Sequence, residues 1–463
     1  MITSNEDPAV KKYLPIIVAT AFFMQMLDST ILNTSLPAIA KDFNESPLNM
    51  QNAIISYVLT LALCMPISGF LSDKFGTRKI FTWSLVLFSL GSLFCALSQD
   101  LSQLVLSRVL QGLGGAMMIP VGKLALIRAY PKTELVKAMN YATIPALIGP
   151  VLGPLVGGYM VDYLSWHWIF IINIPIGIIG ILLGLKFMPN YFSKVTNFDF
   201  KGFVIFASAA LLLSISLELM GHTKSLSFIL LILFLGFSLF YYYYRYAKKK
   251  EDVIFPLNLF LVRTFRVGII GNLACRLGIS SVPLLIPFMI QIAFGQSAVI
   301  SGWIIAPMAL TAMFGKSAVI SILNYFGYRR TLMMNTFIIG ILIMCMAIPS
   351  IHTSIYWFIP LLAAIGFFNS IQFTAMNTIA IADLRNGQTS SGNSLLSVNQ
   401  QIAIGFGIAV GLAVLRFYQN ISPDAIHDSF RNTFLTIGVL TIASGFVFRR
   451  LHFRDGDNMR SVD

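Results

Sequence analysis

Four side chains that can carry or steer charge interrupt long apolar stretches of this sequence: Asp28, Arg108, Gln111 and Arg276. An ionisable group is expensive wherever water is excluded, so each of them invites a functional reading. A carboxylate can take up and release a proton, whereas an arginine stays charged and acts as a perturber or an anion clamp. Asp28 lies about 8 residues from one end of its apolar run, which is ~12 Å at 1.5 Å per residue; Arg108 lies about 7 residues into another, ~10 Å deep. Opposite charges at similar depth can pair or share a water network. In that reading Asp28 binds a proton and Arg108 tunes it, the arginine favouring the ionised form and burial the protonated one. A purely structural ion pair is the competing reading. Gln111 falls one turn from Arg108 on the same helix face and suits a water or substrate ligand. Arg276 sits near the middle of its run, placed to recognise an anion, to partner a distant acid, or to be satisfied by backbone.

Amides at Gln25, Asn33, Asn272 and Gln372 are further candidates for a polar cavity, with interhelical hydrogen bonding as the alternative use. The five histidines all fall in loops or at the ends of apolar runs. Haem, redox or metal chemistry inside the runs would need clustered histidines or carboxylates, so neither a cofactor nor a metal is expected, and not an enzyme. The four cysteines (Cys64, Cys95, Cys275, Cys345) lie within apolar runs, form no CxxC and read as small packing residues.

The elements that must position these groups follow from composition. The 463 residues are 56% hydrophobic and 11% charged, with mean hydropathy +0.78; a soluble domain would carry about 25% charged side chains. Apolar segments long enough to cross a ~30 Å hydrocarbon layer recur from end to end. Fourteen spans are predicted: six between 13 and 187, two between 201 and 244, and six between 267 and 448. The fold class is an all-α polytopic membrane protein. Domain boundaries are expected at 1–190 for a first six-helix bundle, 191–250 for two extra helices and a basic connector, and 251–463 for a second six-helix bundle and short tail.

Charge sets the sidedness. Of the 32 lysines and arginines, 26 fall in one set of alternate segments, 4 (Lys41, Lys224, Arg416, Arg431) in the other, and 2 lie inside spans. Cytoplasmic loops carry the excess, so both termini are expected in the cytoplasm of a plasma membrane, a bacterial inner membrane by the compactness of the loops. The net charge of +13 is then topology charge facing an anionic leaflet and calls for no nucleic-acid partner. Trp166, Trp168, Trp303 and Trp357 are expected at one membrane interface and Trp83 at the other.

The loop after the second span reads Gly69-Phe-Leu-Ser-Asp73-Lys74-Phe-Gly76-Thr77-Arg78-Lys79, and Asn324-Tyr-Phe-Gly327-Tyr-Arg329-Arg330 stands at the equivalent place in the second half. Both occupy the turn between the second and third helix of a six-helix half. Gly76 allows a tight turn, Asp73 can meet a helix N-terminus, and Arg78 can bind a carboxylate or a helix C-terminus. Two related halves joined by two extra helices is a transporter architecture, with the pathway between the halves.

These residues resemble the major facilitator superfamily, in its fourteen-span drug:proton antiporter branch. The loop is similar to the superfamily signature Gly-x-x-x-Asp-(Arg/Lys)-x-Gly-Arg-(Arg/Lys), with Thr77 in place of the first basic residue of the final pair. Leu27-Asp28-Ser29-Thr30-Ile31-Leu32-Asn33 resembles the first-span motif, and Arg108-Val-Leu-Gln111-Gly112 the segment tied to proton coupling. Gly149-Pro150-Val-Leu-Gly153-Pro154-Leu-Val-Gly157-Gly158 resembles the antiporter motif, and Trp166-His167-Trp168 to Asn173 the entry to the sixth span, with His167 where most of the branch has arginine. The resemblance implies proton coupling through Asp28 and Arg108. It implies a cytoplasmic gate from Gly69, Asp73, Gly76, Arg78, Asn324, Gly327 and Arg329. It also implies a hinge from Gly149, Pro150, Gly153, Pro154, Gly157 and Gly158. The expected partners are the lipid bilayer, protons and a small amphipathic compound exported by alternating access, with any periplasmic adaptor unknown. Multidrug efflux, export of an endogenous metabolite or siderophore, and uncoupled facilitation remain open at this point.

Overall fold

The computed structural model describes residues 8–193, 198–219, 225–250, 253–385 and 388–459, so the loop positions of Lys194, Lys224 and Arg460 lie outside the described residues. Within that set every regular element is helical. Contacts divide the chain into two units, one of residues 1–197 and 297–302, the other of residues 198–296 and 303–463.

The first unit is built from α1 (Pro8–Asp42), α2 (Gln51–Cys64), α3 (Ile67–Phe75), α4 (Thr77–Ala96), α5 (Leu101–Ala129), α6 (Lys132–Tyr163), α7 (Trp168–Ile171) and α8 (Asn173–Phe187). The second predicted span is α2 and α3 together, bent by 57° where Pro66 follows Met65. Proline supplies no N–H and cannot carry a straight helix through such a point. α5 starts where the Asp100 carboxylate accepts the Gln103 N–H at 2.8 Å, closing an otherwise open donor. Helix α1 runs along α6, α4 along α5, and α2 packs on α5. Residues 297–302 complete this unit: the Asp162 carboxylate at the end of α6 accepts the N–H groups of Ala298 and Val299 at 3.3 and 2.8 Å.

The second unit contains α9 (Phe200–Leu219), α10 (Leu226–Ala247), α11 (Arg263–Ile279), α12 (Val282–Phe288), most of α13 (Ala298–Cys345), α14 (Phe358–Ile381), α15 (Thr389–Ile421) and α16 (Ile426–Ser444). The ninth predicted span is α11 and α12 in succession, ending in a π-helical turn, Met289–Ala293. The tenth and eleventh are joined in α13, which leaves helical geometry at Gly327 (φ 72°, ψ 162°). Counted on either side of that glycine, the apolar helices among the described residues match the expected fourteen. Several outlast their apolar runs, α1 by six residues and α5 by seven, because helical hydrogen bonding continues beyond the hydrocarbon layer.

The two extra helices, α9 and α10, pair with each other, and α9 packs on α15. Phe206 meets Phe240, Tyr243 and Phe255 edge-on, with ring centroids 4.8–5.8 Å apart. A polar latch sits at the start of α9. The buried Asp199 carboxylate accepts from Tyr246 Oη (2.5 Å), Lys250 Nζ (3.1 Å) and the N–H groups of Gly202 (3.2 Å) and Ile254 (3.3 Å). Burial alone would raise this carboxyl, but hydrogen bonds from Tyr246, Lys250, Gly202 and Ile254 outweigh it and hold it below the ordinary 3.8. A depressed carboxyl stabilises fully above its unfolded value and loses that contribution as pH falls through the folded one. Acidification below about pH 4 is therefore expected to loosen this corner first, seen as faster hydrogen exchange at 198–202 and 246–255. Asp199→Asn should exchange quickly there already at neutral pH and show no further acid dependence; an acid response unchanged by the substitution would remove the latch.

Trp166 is buried: it is 5% exposed, stacks on His167 at 3.8 Å and donates Nε1–H to Asp42 Oδ2 at 2.9 Å. The acceptor at the end of α1 satisfies the indole inside the protein, so it needs no headgroup. Trp83, Trp168, Trp303 and Trp357 are exposed.

Candidate functional site

Asp28, Arg108 and Gln111 meet in the first unit and are 1%, 1% and 0% exposed. Arg108 Nη1 donates to Asp28 Oδ2 at 2.7 Å and to Gln111 Oε1 at 2.6 Å, while its Nε donates to the Ala53 carbonyl at 3.0 Å. Gln111 Nε2 donates to Asp28 Oδ1 at 2.8 Å and to Ser92 Oγ at 2.8 Å. Asn173 Nδ2 donates to the same Oδ1 at 3.1 Å. The guanidinium lies over the Tyr57 ring, 4.1 Å from its centroid. Five helices, α1, α2, α4, α5 and α8, thus converge on one carboxylate. A buried ion pair is tolerable only when its remaining donors and acceptors are bonded, and here they largely are.

Sequence spacing pointed to the first three residues. It missed Asn173, Ser92, Tyr57 and the Ala53 carbonyl. Asn173 carried a usable signal, being the one amide in the apolar run of α8; a backbone carbonyl carries none. Gln25 lies one turn before Asp28, with Oε1 buried and unbonded to described residues, and Asn33 is buried further along α1.

What holds Asp28 in place is the small-residue face of α6. A Cβ at Gly149 would come within 2.9 Å of Leu27 N, and one at Gly157 within 2.5 Å of Ile31 O. A Cβ at Gly153 would collide with Thr30 Oγ1. The glycines spaced every four residues therefore seat α6 backbone-to-backbone on the stretch of α1 carrying Asp28. Gly158 faces elsewhere, onto the Ala298 carbonyl. α6 remains helical through Pro145, Pro150 and Pro154.

The Gly69–Lys79 turn closes on the segment following α8. Gly76 has φ 90°, ψ 147°, and a side chain there would also strike Asn190. Thr77 Oγ1 donates to the Pro189 carbonyl at 2.9 Å and accepts the Tyr191 N–H at 3.0 Å. Arg78 Nε donates to the Met188 carbonyl at the C-terminus of α8. Asp73 pairs with the Arg128 side chain at 2.8 Å, rather than with a helix N-terminus. Asn324 and Gly327 stand at the matching turn of the second unit. Gly327 repeats the backbone of Gly76, and Arg329 stacks on Phe453 at 4.4 Å. Gly69 is uncrowded.

In the second unit Gln372 lines a small recess while its side chain is tied to its neighbours. Its Nε2 donates to Thr336 Oγ1 at 2.7 Å and its Oε1 accepts Asn335 Nδ2 at 2.9 Å. Arg276 Nε donates to Asn272 Oδ1 at 2.9 Å, and Asn272 Nδ2 reaches Asn377 Oδ1 at 3.4 Å. Arg276 and Gln372 line the same small recess, with Cys275, Thr336 and Asn369. Among the described residues no group of His, Cys, Asp and Glu could hold a metal ion.

Residues 18–408 match the family model of the Major Facilitator Superfamily. The chain is 43% identical over 451 residues to HsrA of Haemophilus influenzae, named as a probable transport protein, covering 96% of this chain and 97% of that one. It is 41% identical over 464 residues to a Salmonella dublin protein with the provisional name multidrug resistance protein MdtD, covering 96% and 95%. Among solved structures, the peptide transporter POT in complex with sulfate superposes with TM-score 0.70 at 15% identity, covering 97% of this chain and 96% of that one. A bacterial homologue of the lysosomal transporter Spinster does so at 0.62 and 14%, covering 98% of each; at such identities the likeness is one of fold. The family match and the near full-length relatives together establish that this chain belongs to the major facilitator superfamily, as a multi-pass membrane transporter.

Proposed function

We propose that this transporter is a proton-coupled antiporter that exports small amphipathic compounds, drugs among them, by alternating access. The observation that carries the reading is the buried Asp28–Arg108–Gln111–Asn173 cluster. Ionised, Asp28 ties α1 to α5 and α8 through charge-assisted bonds. Protonated, it gives up the charge that holds Arg108, whose Nη1 and Nε keep the Gln111 and Ala53 oxygens as acceptors. The two protonation states therefore bind these helices differently, which is what a proton needs in order to bias one access state over another. The provisional multidrug-resistance name of the Salmonella relative supports the choice of cargo. In this reading the Gly76 and Gly327 turns act at the cytoplasmic gate, the α6 glycine–proline face acts as hinge, and the basic loops and both termini face the cytoplasm of a bacterial inner membrane.

The test uses the purified full-length chain in proteoliposomes with an acidic lumen. Ethidium added outside is expected to accumulate and to discharge the pH gradient, and a protonophore should abolish both. Ethidium uptake that proceeds equally without a gradient would replace this reading with uncoupled facilitation.

A further inference from the structure

Arg108 has a carboxylate; Arg276 has none among the described residues. From residue 253 to residue 382 the sequence contains no aspartate or glutamate at all. Described acids that follow this stretch in the second unit are engaged at helix ends, Asp383 with Thr264, Asp428 with Arg431 and Asp455 with Arg263. Asp28, the one carboxylate deep within a described span, already holds Arg108. Yet Arg276 is 13 residues into α11, ~20 Å along a helix rising 1.5 Å per residue, where an uncompensated charge is costly.

Its surroundings orient the guanidinium without neutralising it. Gln400 Nε2 donates to Asn377 Oδ1 at 2.7 Å, and that oxygen also takes the Asn272 amide. The fixed Asn272 then accepts from Arg276 Nε. The guanidinium carbon sits 5.0 Å from the centre of the Phe373 ring. Nη1 and Nη2 make no hydrogen bond to any described residue, and the side chain is only half-buried at the edge of a recess shared with Asn369, Thr336 and Gln372. A side chain braced at Nε with its terminal fork open presents the paired N–H geometry that matches a carboxylate. The recess itself has space for about one water, so a carboxylate meets the fork from its half-exposed edge rather than from within.

We propose that Arg276, positioned by Asn272, binds a carboxylate on the exported compound, so that the cargo includes amphipathic organic anions and zwitterions rather than lipophilic cations alone. This rests on reading the chain as an exporter and names the class of compound it takes.

Equilibrium binding without any gradient separates the inference from proton coupling. Fluorescein, an aromatic carboxylate, and ethidium, an aromatic cation, are titrated onto the full chain in phosphatidylcholine vesicles. Arg276→Gln is expected to weaken fluorescein by about tenfold or more and leave ethidium unchanged, while Arg276→Lys, a point charge without the fork, falls between. Melting temperature reports whether each variant is folded, and if Arg276→Gln does not fold, Arg276→Lys alone must show the selective loss. Equal weakening of both dyes, or unchanged fluorescein binding by folded Arg276→Gln, would make this a structural arginine and overturn the proposal. So would binding of ethidium but not fluorescein by the wild type. An Arg276-dependent rise in melting temperature with phosphatidylglycerol but not with fluorescein would assign the site to a lipid phosphate and equally overturn it.

Discussion

Asp28→Asn is expected to reduce gradient-driven uptake to that of protein-free vesicles while leaving exchange of compound down its own gradient measurable. Asparagine cannot carry a proton, so no coupled cycle survives. The cluster also shows why the change is not silent structurally. The carboxylate accepts from Gln111 and Asn173 at Oδ1 and from Arg108 at Oδ2. An asparagine offers one oxygen only; in either orientation its NH₂ faces a donor. Arg108 then loses its counter-charge in a shell that excludes water, a cost of about 3–5 kcal/mol when one partner of a buried pair is removed. Uptake must therefore be normalised to folded protein, by size exclusion and melting temperature. Full gradient-driven uptake by folded Asp28→Asn would end the coupling role of this carboxylate.

Arg108→Leu tests the other half of the pair through stability. It leaves the Asp28 carboxyl in an apolar shell with only amide donors, from Gln111 and Asn173, and it takes the charged donor from the Ala53 carbonyl and Gln111 Oε1, which keep weaker ones from Ser56 and Cys95. With its counter-charge gone, the variant is expected to lose coupled proton movement. The stability loss then comes from the charge-assisted bonds removed and the packing lost over Tyr57, about 1.5–3 kcal/mol for each hydrogen bond to a charged group. The double variant Asp28→Asn/Arg108→Leu removes both charges together. It is expected to melt above Asp28→Asn, with a favourable coupling of about 1–3 kcal/mol in the cycle. Strict additivity of the two changes would mean that the residues do not interact in the protein, contrary to the 2.7 Å bond.

Parts of this arrangement were readable before any coordinates. The match in depth between Asp28 and Arg108 follows from helix rise alone, and the one-turn relation of Gln111 to Arg108 from helix period. The shared turn was also legible: a glycine 251 residues after another adopts nearly the same left-handed backbone, φ 90° at Gly76 and 72° at Gly327. Other parts were not. Gln372 lines a recess, but no spacing foretold that its amide is already engaged by Asn335 and Thr336 across the α13–α14 contact. Thr77 looked like a missing charge, and its hydroxyl in fact bridges two backbone groups of the segment after α8. Trp166 looked interfacial and has a private acceptor in Asp42.

By itself the sequence determined the membrane class, the number of apolar crossings, the gathering of charge in alternate loops and the internal repeat, because exclusion of charge from hydrocarbon acts on each segment locally. Only the tertiary structure decided which faces of those helices meet. Lipid and protein interior are equally apolar, so an apolar helix carries little record of its own rotation. That rotation is set by close approaches such as Gly157 on the Ile31 carbonyl. From it follow the pairing of Arg108 with Asp28 and, among the described residues, the lack of any such partner for Arg276.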